Sequence, residues 1–310
     1  MSLRGVVTIL TIAPLLKPNS IIIMDRQPFI HPEDAAALKA LEAIPALPKI
    51  TKAIMDIQAE QMQTGINLAT KIKLSPRQLP ELYNILPPLC EQLGIKEPDF
   101  FLQMSPEPNA YAFGDTQTAI TITSALVDMM TTDELRAVVA HECGHIFCHH
   151  MLYTTLVTHI LRDTGIVQFI GKLAAPVIYA LLYWNRKSEL SCDRVAAYLT
   201  SPQAAAGMLA RFAGGPKTLT ANLDFAELAA QADQYDALCK RGLWNKTLQM
   251  YAVKDCDHPF TSVRIRDMLL WVDSEEYKQL KEQDPIRCPS CHKVIDANWR
   301  FCQHCGCKLI

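Results

Sequence analysis

Residues 138–150 read VVAHECGHIFCHH, with four histidines, two cysteines and one glutamate in thirteen positions. Within them His141 and His145 stand four apart, which on a helix puts both imidazoles on one face, one turn from each other. That spacing suits a single zinc ion, and Glu142 lies beside it as a carboxylate able to take a proton from an activated water. Two core histidines and a surface glutamate would spell the same five letters, so a catalytic reading needs a third ligand on another element. The segment NRKSELSCDRVAAYL (185–199) offers one. Glu189 would complete a set of two histidines and one glutamate. Asp193, one helical turn on, would accept a hydrogen bond from a ligand imidazole. Read alone, that pair is also what an exposed helix face carries. His149 and His150 read as residues of a helix C-terminus, where positive charge is favourable. Cys143 and Cys192 read as small buried side chains, with oxidation-sensitive thiols as the other reading.

A second cluster closes the chain. RCPSCHKVIDANWRFCQHCGCKLI holds two C-x-x-C pairs, Cys288 with Cys291 and Cys302 with Cys305. Four thiolates on two tight turns make the sulfur cage of a structural zinc, with redox or iron–sulfur chemistry as the competing use. With four cysteines closing the site, His292 and His304 are not needed as ligands. The implied cofactors are two zinc ions, one catalytic and one structural. Trp299 and Arg300 could face a partner, but one aromatic and one arginine do not make a nucleic-acid footprint.

The elements that must carry these groups follow from periodicity. HPEDAAALKALEAI predicts a helix with Pro32 in its first turn and Glu33 and Asp34 as an acidic start. KITKAIMDIQAEQMQ resumes a helical period. SPRQLPELYNILPPLCEQLGI predicts an amphipathic helix interrupted near Pro87 and Pro88. DFFLQM, NAYAFG and TAITIT read as short strands, bounded by turn residues. From Ser124 the helical pattern returns and runs to about residue 284, opening with Thr131 and Glu134 spaced as a capping box around Asp133. The fold class is therefore α+β: mainly helical, with a small antiparallel or mixed sheet and a compact cysteine-rich tail after the linker DPIR. Three parts are expected: an apolar N-terminal segment (1–29), a main domain carrying the histidine site (30–284) and a zinc ribbon (285–310).

Over 310 residues the formal net charge is -2, which implies no global pull toward nucleic acid. Eleven cysteines, seven of them outside the two C-x-x-C pairs and without framework-like spacing, suit a reducing compartment and a cytoplasmic setting. The opening MSLRGVVTILTIAPLLKPNS has the outline of a signal peptide but lacks a small-x-small cleavage site, and Met24 offers an alternative start. Segment 164–184, TGIVQFIGKLAAPVIYALLYW, is long enough to span a bilayer. Lys172 near its middle would cost about 2.5–3.5 kcal/mol there, which favours a core helix or a contact with the membrane surface.

Taken together, NAYAFG and TAITITSALVDMMTTDELRAVVAHECGHI, then SELSCDRVAA, then DHPFTSVRIRDM closely resemble the CAAX prenyl protease 1 and HtpX-like family of zinc metalloendopeptidases. These are gluzincins, whose third ligand is the glutamate of an E-x-x-x-D helix. The resemblance runs over roughly residues 30–275. It implies a mainly helical fold around zinc, a sheet edge able to pair with an extended peptide, and hydrolysis of peptide bonds in a peptide or protein substrate. Position by position it implies His141, His145 and Glu189 as zinc ligands, Glu142 as general base and Asp193 as the acid behind the ligands. It further implies His258 as oxyanion stabiliser, Arg264 as the arginine steadying the ligand glutamate, and Asn109, Ala110 and Tyr111 beside the substrate cleft. Many family members carry two membrane-spanning helices between the zinc motifs; here that interval holds only 164–184. The alternative function is an idle or regulatory adaptor that binds a partner protein through its ribbon.

Overall fold

A computed structural model describes residues 24–45, 47, 51, 57–161, 175–240 and 260–309. The expected helix α1 spans Pro32–Glu42, with the His31 side chain capping it by accepting from the Glu33 N–H at 3.1 Å. Helix α2 (Ile57–Thr70) leads into β1 (Ile72–Lys73), a strand too short to leave a periodic signal. The amphipathic stretch expected as one interrupted helix is two, α3 (Pro80–Tyr83) and α4 (Leu86–Leu93). Pro87 and Pro88 do not interrupt α4; they fall in its first turn, where the missing N–H has no partner to lose.

The three expected strands form as β2 (Asp99–Gln103), β3 (Ala110–Phe113) and β4 (Ala119–Thr123). The sheet runs β1-β2-β4-β3 and is mixed, with β2 and β4 parallel and the other pairs antiparallel. Among the described strands β3 thus lies at one end of the sheet. The turn after it is tied down by Glu60, which accepts from the N–H groups of Asp115 (2.5 Å) and Thr116 (2.9 Å).

Helices follow from there: α5 (Ser124–Met129), α6 (Thr132–Phe147), α7 (Met151–Leu161), α8 (Ala175–Leu199), α9 (Pro202–Gly214), α10 (Lys217–Thr220), α11 (Phe225–Lys240), α12 (Thr261–Val272) and α13 (Glu275–Gln283). The capping box at α6 is formed, with Thr131 accepting from the Glu134 N–H while the Glu134 carboxylate accepts from the Thr131 N–H at 2.9 Å. Glu134 also pairs with the buried Arg211 of α9 at 2.9 Å, so the start of α6 is fixed twice.

The main core surrounds α6, whose Ala137, Val138, Val139 and Ala140 are at most 2% exposed, and it takes in β3, β4, α8, α9 and α12. Phe29, assigned by sequence to the N-terminal segment, is fully buried there with its ring against Phe147, Tyr198 and Trp271. A second apolar cluster packs α1 on α8 and α7 through Leu41, Leu156, Leu181 and Trp184. Of segment 164–184, residues 175–184 form the start of α8 and bury Leu181 and Trp184; the rest lies outside the described residues. Among the described residues no helix is long and apolar enough to cross a membrane.

Candidate metal centre

Helices α6 and α8 meet where α6 carries Gly144. A methyl group there would lie 3.1 Å from the Cys192 Cα, so the two helices pass close together at a residue between the two histidines, where Glu189 faces them. The Glu189 carboxylate reaches both: Oε2 is 3.3 Å from His141 Nε2 and Oε1 is 3.3 Å from His145 Nε2. A tetrahedron with ~2.0–2.1 Å zinc–ligand bonds has edges of ~3.3 Å, so the three groups fit a zinc ion in spacing and in chemistry. All three are 3% exposed, and Glu142, on the same helix, is 2% exposed.

Behind them stand Asp193 and Arg264. His141 Nδ1 is 3.1 Å from Asp193 Oδ1, the contact that holds a ligand imidazole with Nε2 forward. Arg264, from α12, grips Asp193 with two hydrogen bonds (Nε to Oδ2 2.7 Å, Nη2 to Oδ1 2.6 Å) and places Nη1 3.0 Å from Glu189 Oε2. Burial works against charge on His141, but its hydrogen bonds to Asp193 and Glu189 prevail and push its pKa up to about 10. Burial also penalises the Asp193 carboxylate, yet Arg264 and His141 hold it below the usual range. The buried carboxylates of Asp193 and Glu189 thus both face the Arg264 guanidinium.

Cys192 Sγ also lies within 4.8 Å of ring nitrogens of His141 and His145. Its thiol is engaged by His150 Nδ1 at 3.6 Å, however, and burial raises its pKa well above the ordinary value. The Glu189 carboxylate instead meets both Nε2 atoms at 3.3 Å. Cys143, like Cys192, is fully buried. His258 lies outside the described residues. Asn109 precedes β3 and pairs its backbone with Thr123 (Thr123 N–H to Asn109 C=O 3.0 Å). Ala110 is buried in the core, whereas the Tyr111 hydroxyl sits on the sheet with Lys71 (2.7 Å) and Gln103 (3.0 Å).

The reading of His149 and His150 as charged helix-end residues needs correcting. Helix α6 ends at Phe147, and His149 takes a left-handed conformation (φ 61°). His150 is 1% exposed, and burial lowers its pKa despite the Asp34 carboxylate 2.9 Å from its Nε2. Asp34 is likewise no exposed acid of a helix start: it is 1% exposed and receives hydrogen bonds from Trp184 and Ser191 as well. Only the folded chain brings residues so far apart in sequence together.

At the C-terminus the four cysteines converge. Cys288 and Cys305 Sγ are 3.6 Å apart, as are Cys291 and Cys302 Sγ, close to the ~3.8 Å edges of a tetrahedral cage of zinc–sulfur bonds. The N–H groups of Cys291 and Ser290 pull the Cys288 thiol down to about 6. The two knuckles repeat one hydrogen-bond pattern, with left-handed residues at His292 (φ 58°) and Gly306 (φ 77°). A side chain is tolerated at the first because it docks: His292 Nε2 is 2.8 Å from Arg136 Nη1 on α6.

The sequence profile of Peptidase family M48 matches residues 76–272, and that of the Double zinc ribbon matches 254–306. The chain belongs to peptidase family M48. Over 262 residues it is 32% identical to the Plastoglobule-localized metallopeptidase 48, chloroplastic, of Arabidopsis thaliana, covering 83% of this chain and 76% of that one. It is 29% identical over 143 residues to a Protease HtpX homolog of Neisseria meningitidis (45% of this chain, 50% of that one), and 30% identical over 119 residues to one of Tropheryma whipplei (38% and 39%). The chain thus spans about half or less of the HtpX homologues' length. No solved structure matches. Family and relatives make this chain a zinc metallopeptidase with a zinc ribbon at its C-terminus.

Proposed function

We propose that the chain is a zinc metalloendopeptidase whose catalytic ion is held by His141, His145 and Glu189, with Glu142 as general base. The observation that carries this reading is the buried Glu189 carboxylate spanning the Nε2 atoms of both histidines at 3.3 Å. When bound, zinc supplies Lewis acidity, which makes a water acidic near neutral pH and polarises a substrate carbonyl. Glu142, one residue from His141, accepts the water's proton and returns it to the leaving amine. Asp193 keeps His141 in the ligating tautomer, and Arg264 holds both carboxylates in place. Strand β3, last in the sheet order, with Asn109, Ala110 and Tyr111 at its start, is the strand along which an extended peptide would lie. His258 keeps, from the resemblance alone, the role of oxyanion donor.

In this reading residues 30–284 form the peptidase domain, extended by the packed residues before them, and 285–310 the ribbon with the second, structural zinc. The buried thiols Cys90, Cys143, Cys148 and Cys192 support a reducing compartment such as the cytoplasm. The test is a casein or peptide-library digest with metal analysis. Two zinc ions per chain are expected, with cleavage by wild type lost in Glu142→Gln while zinc is retained. A fully loaded wild type that cleaves nothing would favour an adaptor role for the fold.

A further inference from the structure

We infer that Asp34, on the first helix of the described chain, is a positioning residue for the metal centre, with Ser191 and His150 as its links to the ligand-bearing elements. This rests on reading His141, His145 and Glu189 as the ligands. Asp34 lies outside residues 76–272, the part matched by the family profile.

The geometry is bracketing. Asp34 Oδ1 accepts from Trp184 Nε1 at 3.0 Å, and Oδ2 from Ser191 Oγ at 2.6 Å. Trp184 and Ser191 flank Glu189 on α8, five residues before it and two after, so one carboxylate grips the ligand helix on both sides of its ligand. Ser191 Oγ in turn accepts from the His31 N–H at 2.9 Å, fixing the start of α1 to the same point. The link to the histidines runs through His150: its Nε2 is 2.9 Å from Asp34 Oδ2, and its N–H donates to the His145 carbonyl at 2.9 Å. Its ring also meets the His145 ring edge to face, centroids 5.5 Å apart.

Apolar packing alone does not require this carboxylate. Ala37 and Leu41 already seat α1 on the second core cluster, and apolar contacts tolerate small rotations and slides. Hydrogen bonds to a buried charge do not, because each misplaced donor leaves a buried polar group unpaired. The rotation of α8 about its axis decides where Glu189 points, and Asp34 fixes that rotation. Cys192, His150 and Asp34 stand in the order of a thiol-protease triad, with Cys192 Sγ 3.6 Å from His150 Nδ1. The thiol is fully buried, so the array holds a helix in place and offers no nucleophile.

The test measures zinc affinity by competition with graded chelators, the ribbon zinc serving as internal reference, together with kcat and KM on a cleaved peptide. Asp34→Asn should weaken the catalytic zinc about 10–100-fold and lower kcat at unchanged KM, as expected when an outer-sphere partner is lost. Ser191→Ala should do the same to a smaller degree, and it decides the matter if Asp34→Asn does not fold. Leu41→Ala, which loosens α1 without touching the array, should lower the melting temperature and leave zinc affinity unchanged. The inference is overturned if the folded Asp34→Asn and Ser191→Ala proteins bind zinc like wild type, or if Leu41→Ala weakens zinc as much as Asp34→Asn does. A wild type holding zinc only in its ribbon overturns the ligand assignment itself, and this inference with it.

Discussion

The groups facing one another on α6 and α8 and the cysteines of the C-terminal knuckles are the two metal-ligand sets proposed above, yet their surroundings differ. His141, His145 and Glu189 are 3% exposed, on helices whose other residues fill the main core. Asp193 and Arg264 stand behind them, against His141 and Glu189. Cys288, Cys291, Cys302 and Cys305 sit on two turns whose apolar neighbours Ile286, Val294 and Phe301 are about half exposed (48–57%). Packing therefore builds the first set before any ion arrives, whereas the second has no core and depends on its metal for a fold. The comparison teaches that metal loss should silence one region and unfold the other.

The largest effect should come from cutting the ribbon's metal. Cys288→Ser is expected to release that zinc and abolish amide-exchange protection over 286–308, leaving hydrolysis of short peptides intact. Next, Glu142→Gln should lower kcat by about 10²–10⁴-fold with both zinc ions retained, as measured by steady-state kinetics and metal analysis. Third, Gly144→Ala should force α6 and α8 apart, costing about 1–3 kcal/mol in denaturant melts and weakening the catalytic zinc while sparing the ribbon zinc.

A smaller effect appears in acid. Burial disfavours the Glu134 carboxylate, but its bonds to Thr131 and Arg211 hold its pKa below the ordinary 4.5. Its contribution is therefore complete above about pH 4.5 and is lost as pH falls through the lowered value. Glu134→Gln should be less stable at neutral pH and show a flatter loss of stability below pH 4.5 in acid titrations. The smallest effect is expected for His292→Gly, which relieves a left-handed side chain, worth about 1 kcal/mol, but gives up the contact with Arg136. Exchange should then quicken in the first knuckle only.

Much of the fold was legible in local signals. The Thr131–Glu134 capping box, the alternating runs of β2, β3 and β4 and the end of the helical pattern near residue 284 all depend on residues close in sequence, and all formed. So did the i, i+4 spacings, because a helix turns local spacing into a shared face. What was not legible depends on long-range pairing. The parallel register of β2 with β4 leaves no trace in either strand, and β1 is too short for a period. Asp34 sits in a first helical turn, where an acid normally answers the helix dipole, and only the return of α8 some 150 residues later gives it partners. Gly144 stands at a variable letter of the H-E-x-x-H motif, yet it sets how closely the ligand helices approach.

The measurement that bears most directly on the contrast between the two sites is hydrogen exchange on metal-free protein, prepared by exhaustive chelation and compared with the zinc-loaded form. Protection of the amides around 141–145 and 189–193 should persist without metal while 288–307 exchange freely. Loss of protection at both sites, or a ribbon that stays protected without zinc, would contradict the claim that one site is made by packing and the other by its ion.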